Sequence, residues 1–517
     1  MSITRRIVFA SATAWLSRVV AIALGVLLLP VLFRHLPNEE LGVWLLLGQS
    51  WAAMGVFDLG FGVALTRKIA LAKGKSGGDP TLALNQDSRN EIADLVTSGT
   101  LVYRYLAGGI SVVVWFAGVL YIESLQFSEV SHRAAWVAWT IVCASQAINV
   151  WSSVWTCLLN GVGYVGWDSL IASATSIATL GVQILAVLLG GGLASLAAVA
   201  AVGALVQRSW TRWLARRKHP ELFAMRGEWN PIVMRSMAGV AARAWVTAAG
   251  AVLVFSTDTW FIASSLGAAS VPPFRAAYVL VHNFTVIAVS FGLASAVFVS
   301  QLWQAQDVAA MHRLVARNCR LGLLVMLFAA ALLLTVGREL IGLWLGPGHF
   351  VGYTVLAIVI AFETLEAHAY IISTSSRATN DEAFAWSSVA AGVLKMGLAA
   401  VLVQRLGVLG VALATMVALL CTNHWYMAYR GLTRLGIPFA VHAKQIVVPC
   451  VAWSALAVVA ARFLSAQLAA NSDFVRLAVV AISLGLLFVL ACGTLVLQPQ
   501  ERRWVYASVL QLAARSR

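Results

Sequence analysis

Apolar runs of about 20 residues or more, each long enough to cross a bilayer as a helix, recur along nearly the whole chain. Short polar segments separate them. The first six predicted spans run from about Ile7 to Phe33, Leu41 to Ile69, Leu95 to Ile122, Ala134 to Leu159, Trp167 to Leu189 and Leu193 to Trp213. The next four run from Val233 to Leu266, Pro272 to Trp303, Asn318 to Val336 and Val351 to Arg377. The last four run from Ala383 to Val403, Val408 to Tyr429, Ile446 to Phe463 and Val475 to Leu497. These runs are too long for the alternating strands of an outer-membrane barrel. The pattern predicts an all-α polytopic membrane protein with about 14 transmembrane helices.

The polar segments order those spans. Arg67 to Arg89 and Arg208 to Asn230 read as basic loops, and Gln304 to Arg317 as a polar connector. Gly190-Gly191-Gly192 and Gly346-Pro347-Gly348 read as tight turns. Lys and Arg concentrate on one side of the membrane if the N-terminus is inside, which predicts both termini in the cytoplasm. Met1-Ser-Ile-Thr-Arg-Arg6 looks like the start of a signal peptide, but the apolar run continues past Pro30 without a small-residue cleavage site. It reads as a retained first helix.

Two stretches echo each other. Trp167 to Ala197 and Trp386 to Ala414 both read as span, glycine turn, span; Phe57 to Gly62 echoes Ser290 to Ala294 more weakly. The repeat predicts two parallel six-helix lobes: residues 1–213, and residues 232–430 after a basic linker at 214–231. Spans 13 and 14 (431–497) and a short amphipathic tail (498–517) follow.

Composition agrees with the hydropathy. The 517 residues are 60% hydrophobic and 11% charged, against about 25% charged in a soluble domain. The formal net charge of +15 follows membrane topology, so no nucleic-acid partner is expected. The six cysteines are scattered, with no metal-ligand spacing and no disulfide framework. No phosphate-binding loop of the ATPase type, nucleotide fingerprint or nucleophile triad is present, and no enzymatic activity or cofactor is expected.

The charges inside the spans change the picture most. A charge at the bilayer centre costs roughly 2.5–3.5 kcal/mol on the translocon scale. Glu363 and Glu366, near the middle of span 10, share a helix face at i and i+3, and Tyr370, Thr374 and Arg377 extend that stripe. Arg18, Arg243 and Lys395 lie within spans 1, 7 and 11, and Arg275, Tyr278 and His282 form a stripe on span 8. Arg18, Arg243, Arg275 and Lys395 would suit an anion if they face a cavity; otherwise they pair with Asp58, Asp258, Glu363 or Glu366, or snorkel. Glu363 and Glu366, buried in a span, need water, a proton, a cation or one of those basic groups beside them. Asp58 is expected to brace its glycine-rich surroundings, and His368, on the far side of span 10 from Glu363, to pack.

Leu36-Pro-Asn-Glu-Glu-Leu-Gly42-Val-Trp, Phe57-Asp-Leu-Gly60-Phe-Gly-Val-Ala-Leu-Thr-Arg67, Asn160-Gly161 and Asp258-Thr-Trp-Phe-Ile-Ala-Ser-Ser-Leu-Gly267 carry a family resemblance. With the overall span pattern, they resemble Wzx-type polysaccharide-unit flippases. These form part of the multidrug/oligosaccharidyl-lipid/polysaccharide (MOP) exporter superfamily. The resemblance makes Asp58, Gly60 and Arg67 motif positions. It implies two six-helix lobes around a cavity that alternates between the two sides of a bacterial inner membrane. It also implies an undecaprenyl-pyrophosphate-linked oligosaccharide as cargo, for O antigen, capsule or exopolysaccharide. Coupling to H+ or Na+ belongs to the same expectation, with Asp258, Glu363 and Glu366 as the candidates because related drug exporters carry ion-binding acids on their seventh and tenth spans, and pairing with Arg243 or Lys395 as the alternative; so do a polysaccharide polymerase and chain-length regulator as partners. The rivals are a multidrug antiporter of the superfamily and a membrane polymerase or glycosyltransferase. The short outside segments disfavour the latter.

Overall fold

The computed structural model describes residue 20 and residues 23–76, 83–224, 227–379 and 383–496. The described residues are helical, with no strand among them. Twelve described helical stretches are long and apolar enough to cross a membrane. The first two predicted spans fall outside that count. Helix α1 (Ala23–His35) is the described part of the first. The second is broken into α2 (Asn38–Met54), a 3-10 turn (Gly55–Asp58) and α3 (Phe61–Gly74). Leu59 and Gly60 make the break, with φ of 54° and 68°. The left-handed region costs a side-chain-bearing residue about 1–2 kcal/mol and glycine little. Gly60 therefore meets a real conformational demand.

The chain divides into two compact units, Met1–Pro272 and Pro273–Arg517. The division lies after the seventh span, not at the basic linker expected between lobes. The first unit continues with α4 (Gln86–Ser124), α5 (His132–Val162), α6 (Val165–Leu188), α7 (Leu193–Lys218), α8 (Pro220–Ala224), α9 (Pro231–Phe255) and α10 (Asp258–Leu266). Helix α5 packs against α3, α4 and α7, with Leu65, Ile69, Val154 and Leu158 buried between them. Span 7 joins this unit for visible reasons. Met237 and Ala241 of α9 enter the same cluster. Gln49 Nε2 donates to the Phe255 carbonyl at 3.3 Å, and Trp260 Nε1 donates to Ser50 Oγ at 3.0 Å.

Several predicted boundaries need correction. The loop expected from Arg208 is helix as far as Lys218, so Arg208 is a span residue. The connector after Gln304 is helical again from Val308. Spans 7 and 12 are interrupted, at Ser256-Thr257 and at Thr422. The Trp167 and Trp386 segments are indeed both helical hairpins, turning at the positive-φ glycines Gly190 and Gly407. The weaker echo fails: Phe57 to Gly62 is a helix break, whereas Ser290 to Ala294 lies inside continuous helix.

The second unit contains α11 (Val271–Gln304) from Pro273 on, α12 (Val308–Leu345), α13 (Tyr353–Arg377), α14 (Ala385–Leu406), α15 (Val408–Cys421) and α16 (Asn423–Arg434). It ends with α17 (Phe439–His442), a π turn (Ala443–Val447), α18 (Val448–Gln467) and α19 (Asp473–Ala491). Helix α13, the acid-bearing span, is central and packs against α12, α15 and α16. In lipid, water does not drive helices together, so close backbone approach matters more. Gly431 of α16 permits one such approach: a Cβ there would lie 2.6 Å from Ile372 Cγ2 on α13. Helices α18 and α19 cover α12 through Val336, Ala461, Val480 and Leu484.

Candidate functional site

In the first unit the motif Pro37-Asn38-Glu39-Glu40-Leu41-Gly42 is a clamp. It starts α2, and its two acids reach in different directions. The buried Glu39 carboxylate accepts from the backbone N–H groups of Ser128, Glu129 and Val130 at 2.8, 2.6 and 2.7 Å. Burial pushes the Glu39 carboxyl up, but these donors outweigh it and hold the group below its ordinary value of 4.5. Glu40 Oε1 accepts from Leu193 N at 2.6 Å, at the start of α7. Two adjacent acids thus tie the α1–α2 turn to the α4–α5 loop and to the α6–α7 turn.

The second motif braces the broken span. Asp58 accepts from Tyr103 Oη at 2.7 Å and from Gly62 N at 2.9 Å. The Tyr103 ring in turn meets Phe61 edge-on at 5.3 Å. Gly60 supplies the turn, and Arg67, farther along α3, is exposed.

A cavity of about 500 Å³ lies within this unit, between α1, α2, α5, α6 and α7. Its polar lining is Asn149, Thr175, Ser176, Thr179, Gln183 and Gln207, with Arg208 as the charge. No carboxylate lines it among the described residues. The Arg208 guanidinium is held in place: Nε donates to Asn149 Oδ1 and Nη1 to Thr156 Oγ1, each at 2.8 Å. Asp168 on α6 acts on it electrostatically. A guanidinium oriented by two neutral acceptors presents a fixed fork, the geometry that suits phosphate oxygens. Reading the sequence missed Arg208 because it opens a run of basic residues that resembles a loop. The signal was available: extending the helical period of span 6 through Trp210 and Trp213 keeps Arg208 inside it.

In the second unit, α11 and α13 bring two predicted features together. The Arg275 guanidinium lies 5.0 Å from the Tyr278 ring centre, in cation–π geometry. Tyr278 stacks on His282 with centroids 5.4 Å apart and planes 12° apart. His282 Nδ1 then meets Glu363 Oε1 at 3.3 Å. Glu363 is 1% exposed, so this is its route towards the half-exposed His282. Glu366 faces elsewhere: its Oε2 lies 3.5 Å from Nε2 of the buried His424 on α16. That contact has the distance of an ion pair without hydrogen-bond geometry. The expected single acid stripe therefore splits between two neighbouring helices, because i and i+3 differ by a substantial angle around the axis. Sequence reasoning named Arg243 and Lys395 as partners and overlooked His424, which lies beyond the Thr422 break.

The remaining predicted residues lie on other elements. Lys395 of α14 is wholly buried. Asp258 is buried in the first turn of α10, in the first unit, whereas Glu363 and Glu366 belong to the second. Arg243 lies on α9, with its side chain outside the described residues. Arg18, the N-terminal segment before it and the tail 498–517 also lie outside them. His368, expected only to pack, shares a hydrogen bond of 2.9 Å between its Nε2 and His442 Nε2.

No protein-family model and no curated protein matches the sequence. Solved structures do match. An inward-facing multidrug resistance MATE family transporter of the MOP superfamily aligns with TM-score 0.64 at 13% identity, over 83% of this chain and 98% of its own. The lipid II flippase MurJ, in an inward closed conformation, aligns with TM-score 0.67 at 13% identity, over 93% of this chain and 98% of its own. A MOP superfamily transporter from Pyrococcus furiosus, described as having a binding pocket of reversed polarity, aligns with TM-score 0.59 at 14% identity, over 83% and 95%. This membrane chain has the fold of the MOP superfamily transporters.

Proposed function

We propose that this protein is a secondary transporter of a bacterial inner membrane that flips an anionic lipid-linked glycan, an undecaprenyl-pyrophosphate-linked repeat unit, from the cytoplasmic to the periplasmic leaflet. The observation that carries this reading is the cavity around Arg208. It offers one oriented guanidinium among neutral hydroxyls and amides, and no described carboxylate lines it. Pyrophosphate needs a cation, sugar hydroxyls need neutral donors and acceptors, and an organic cation needs an acid, which the described lining does not include. Coverage of 93% with a lipid II flippase against 83% with a multidrug transporter also supports it. The difference is comparable in length to the final helical hairpin.

Glu363 and His282 supply a coupling device in this reading. A carboxylate inside a membrane binds a proton or Na+ in one state of the transporter and gives it up in another. A polysaccharide polymerase and a chain-length regulator are partners of the product. The multidrug reading has one observation in its favour, the buried Glu363 and Glu366 with their histidines, since such acids attract cations. Accumulation of lipid-linked units on the cytoplasmic face after deletion supports the flippase; unchanged units with raised sensitivity to organic cations supports the antiporter.

A further inference from the structure

We propose that Cys319, His368 and His442 form a binding site for a soft monovalent cation, Cu+, within the second unit. The three residues come from α12, α13 and α17. They can each offer one ligand atom such that all three atoms lie within 4.8 Å of one another. Cys319 and His442 are 0% and 2% exposed. His368 and His442 approach through their Nε2 atoms at 2.9 Å, with ring centroids 5.1 Å apart. His442 Nδ1 is buried without a hydrogen-bond partner among the described residues.

The donor set selects the ion. One thiolate and two imidazoles, with no oxygen donor, disfavour Mg2+ and Ca2+ and favour Cu+ or Zn2+. Charge decides between those two. A thiolate with Cu+ is neutral, whereas the same ligands around Zn2+ leave a positive charge to be buried at considerable cost. Arg320 from α12 acts on both Cys319 and His442 and adds to that cost. The other facing groups are His424 from α16 and Cys450 from α18. Metal–nitrogen bonds of about 2.0–2.1 Å separate two ligating nitrogens by about 3.3 Å in tetrahedral geometry and slightly more in trigonal geometry. The two imidazoles need only part by a fraction of an ångström.

The step balances without redox chemistry. The Cys319 thiol loses its proton, the sulfur lone pair forms the bond to Cu+, and one H+ leaves. The imidazole that carried the proton between the two Nε2 atoms shifts it to Nδ1, and in His442 that nitrogen is unoccupied by other partners. Affinity therefore rises up to tenfold per pH unit while the thiol is protonated. The bound ion ties α12 and α13 to the segment that leads into α18. Ligands at positions 319, 368 and 442 have no local spacing, which is why the sequence alone suggested no metal site.

The test uses the full-length protein in nanodiscs, titrated anaerobically with Cu+ against a chromophoric chelator. One tightly held Cu+ per chain is expected, with a copper-edge absorption spectrum of one sulfur and two nitrogen neighbours. Cys319→Ser and His442→Gln should each weaken binding at least 100-fold, while Cys421→Ser at an exposed position leaves it unchanged. Should Cys319→Ser fail to elute as a single species, His442→Gln and the wild-type spectrum answer the question. Binding that both variants retain, a spectrum with no sulfur neighbour, or tight retention of Zn2+ but not Cu+ overturns the assignment.

Discussion

At the scale of single residues, Arg208 and Glu363 carry opposite charges into the membrane span region and are held in different ways. Arg208 is fixed by Asn149 and Thr156 beside a polar cavity, whereas Glu363 is sealed apart from its contact with His282. If the fork of Arg208 binds phosphate, Arg208→Lys keeps the charge but loses the paired donors. Flipping by Arg208→Lys is expected to fall at least tenfold and by Arg208→Ala further, at equal protein levels. Glu363→Gln should remove the dependence of transport on the coupling ion; full flipping with unchanged ion dependence would refute the coupling role. Asp58 accepts from Tyr103 Oη and Gly62 N at the break in the second span. Tyr103→Phe removes one donor to its carboxylate and should cost ~1–3 kcal/mol, read as a lowered midpoint of thermal unfolding with the bound lipid composition held constant.

At the scale of elements, the two acids before α2 do the work of a buckle. Glu39 takes three backbone donors from the α4–α5 loop, and Glu40 takes the first donor of α7. Because the Glu39 carboxyl sits below its ordinary value of 4.5, its stabilisation is complete above pH 4.5 and disappears as pH falls through the lowered value. Thermal unfolding midpoints of wild type and Glu39→Gln, followed by tryptophan fluorescence at a series of pH values, should therefore differ at pH 6–7 and converge in stronger acid. A gap that persists unchanged to low pH would contradict the clamp. The same elements explain what could be read beforehand. Motif residues Glu39, Glu40, Asp58 and Gly60 stood out through the family resemblance; Gly60 and the Asp58–Gly62 contact answer to local chain geometry, whereas the partners of Glu39 and Glu40 are distant in sequence. The break after Met54 and the interruption at Thr422 did not, because hydropathy continues through both and only the dihedrals and neighbours interrupt the helix.

For the whole molecule, apolar run length alone made the helical membrane fold legible, since the bilayer admits so few backbone solutions. Charge bias made an orientation legible as an expectation. The grouping of helices was less accessible. The α9–α10 span joins the first unit through Met237, Ala241, Gln49 and Trp260, contacts between residues distant in sequence. The site was legible in part for the same reason. The Arg275–Tyr278–His282 stripe follows from helical spacing on one element, whereas its meeting with Glu363, and that of Glu366 with His424, depends on which helices are neighbours.

The central claim is that the Arg208 cavity serves an anionic lipid-linked headgroup. The most direct test is transport in proteoliposomes containing a fluorescent polyprenyl-pyrophosphate-linked oligosaccharide, with exposure of the headgroup to a membrane-impermeant quencher as the readout. The account predicts protein-dependent exchange between leaflets that Arg208→Ala reduces at least tenfold. Normal exchange by Arg208→Ala, or no exchange by wild type in liposomes where it extrudes an organic cation, would contradict it.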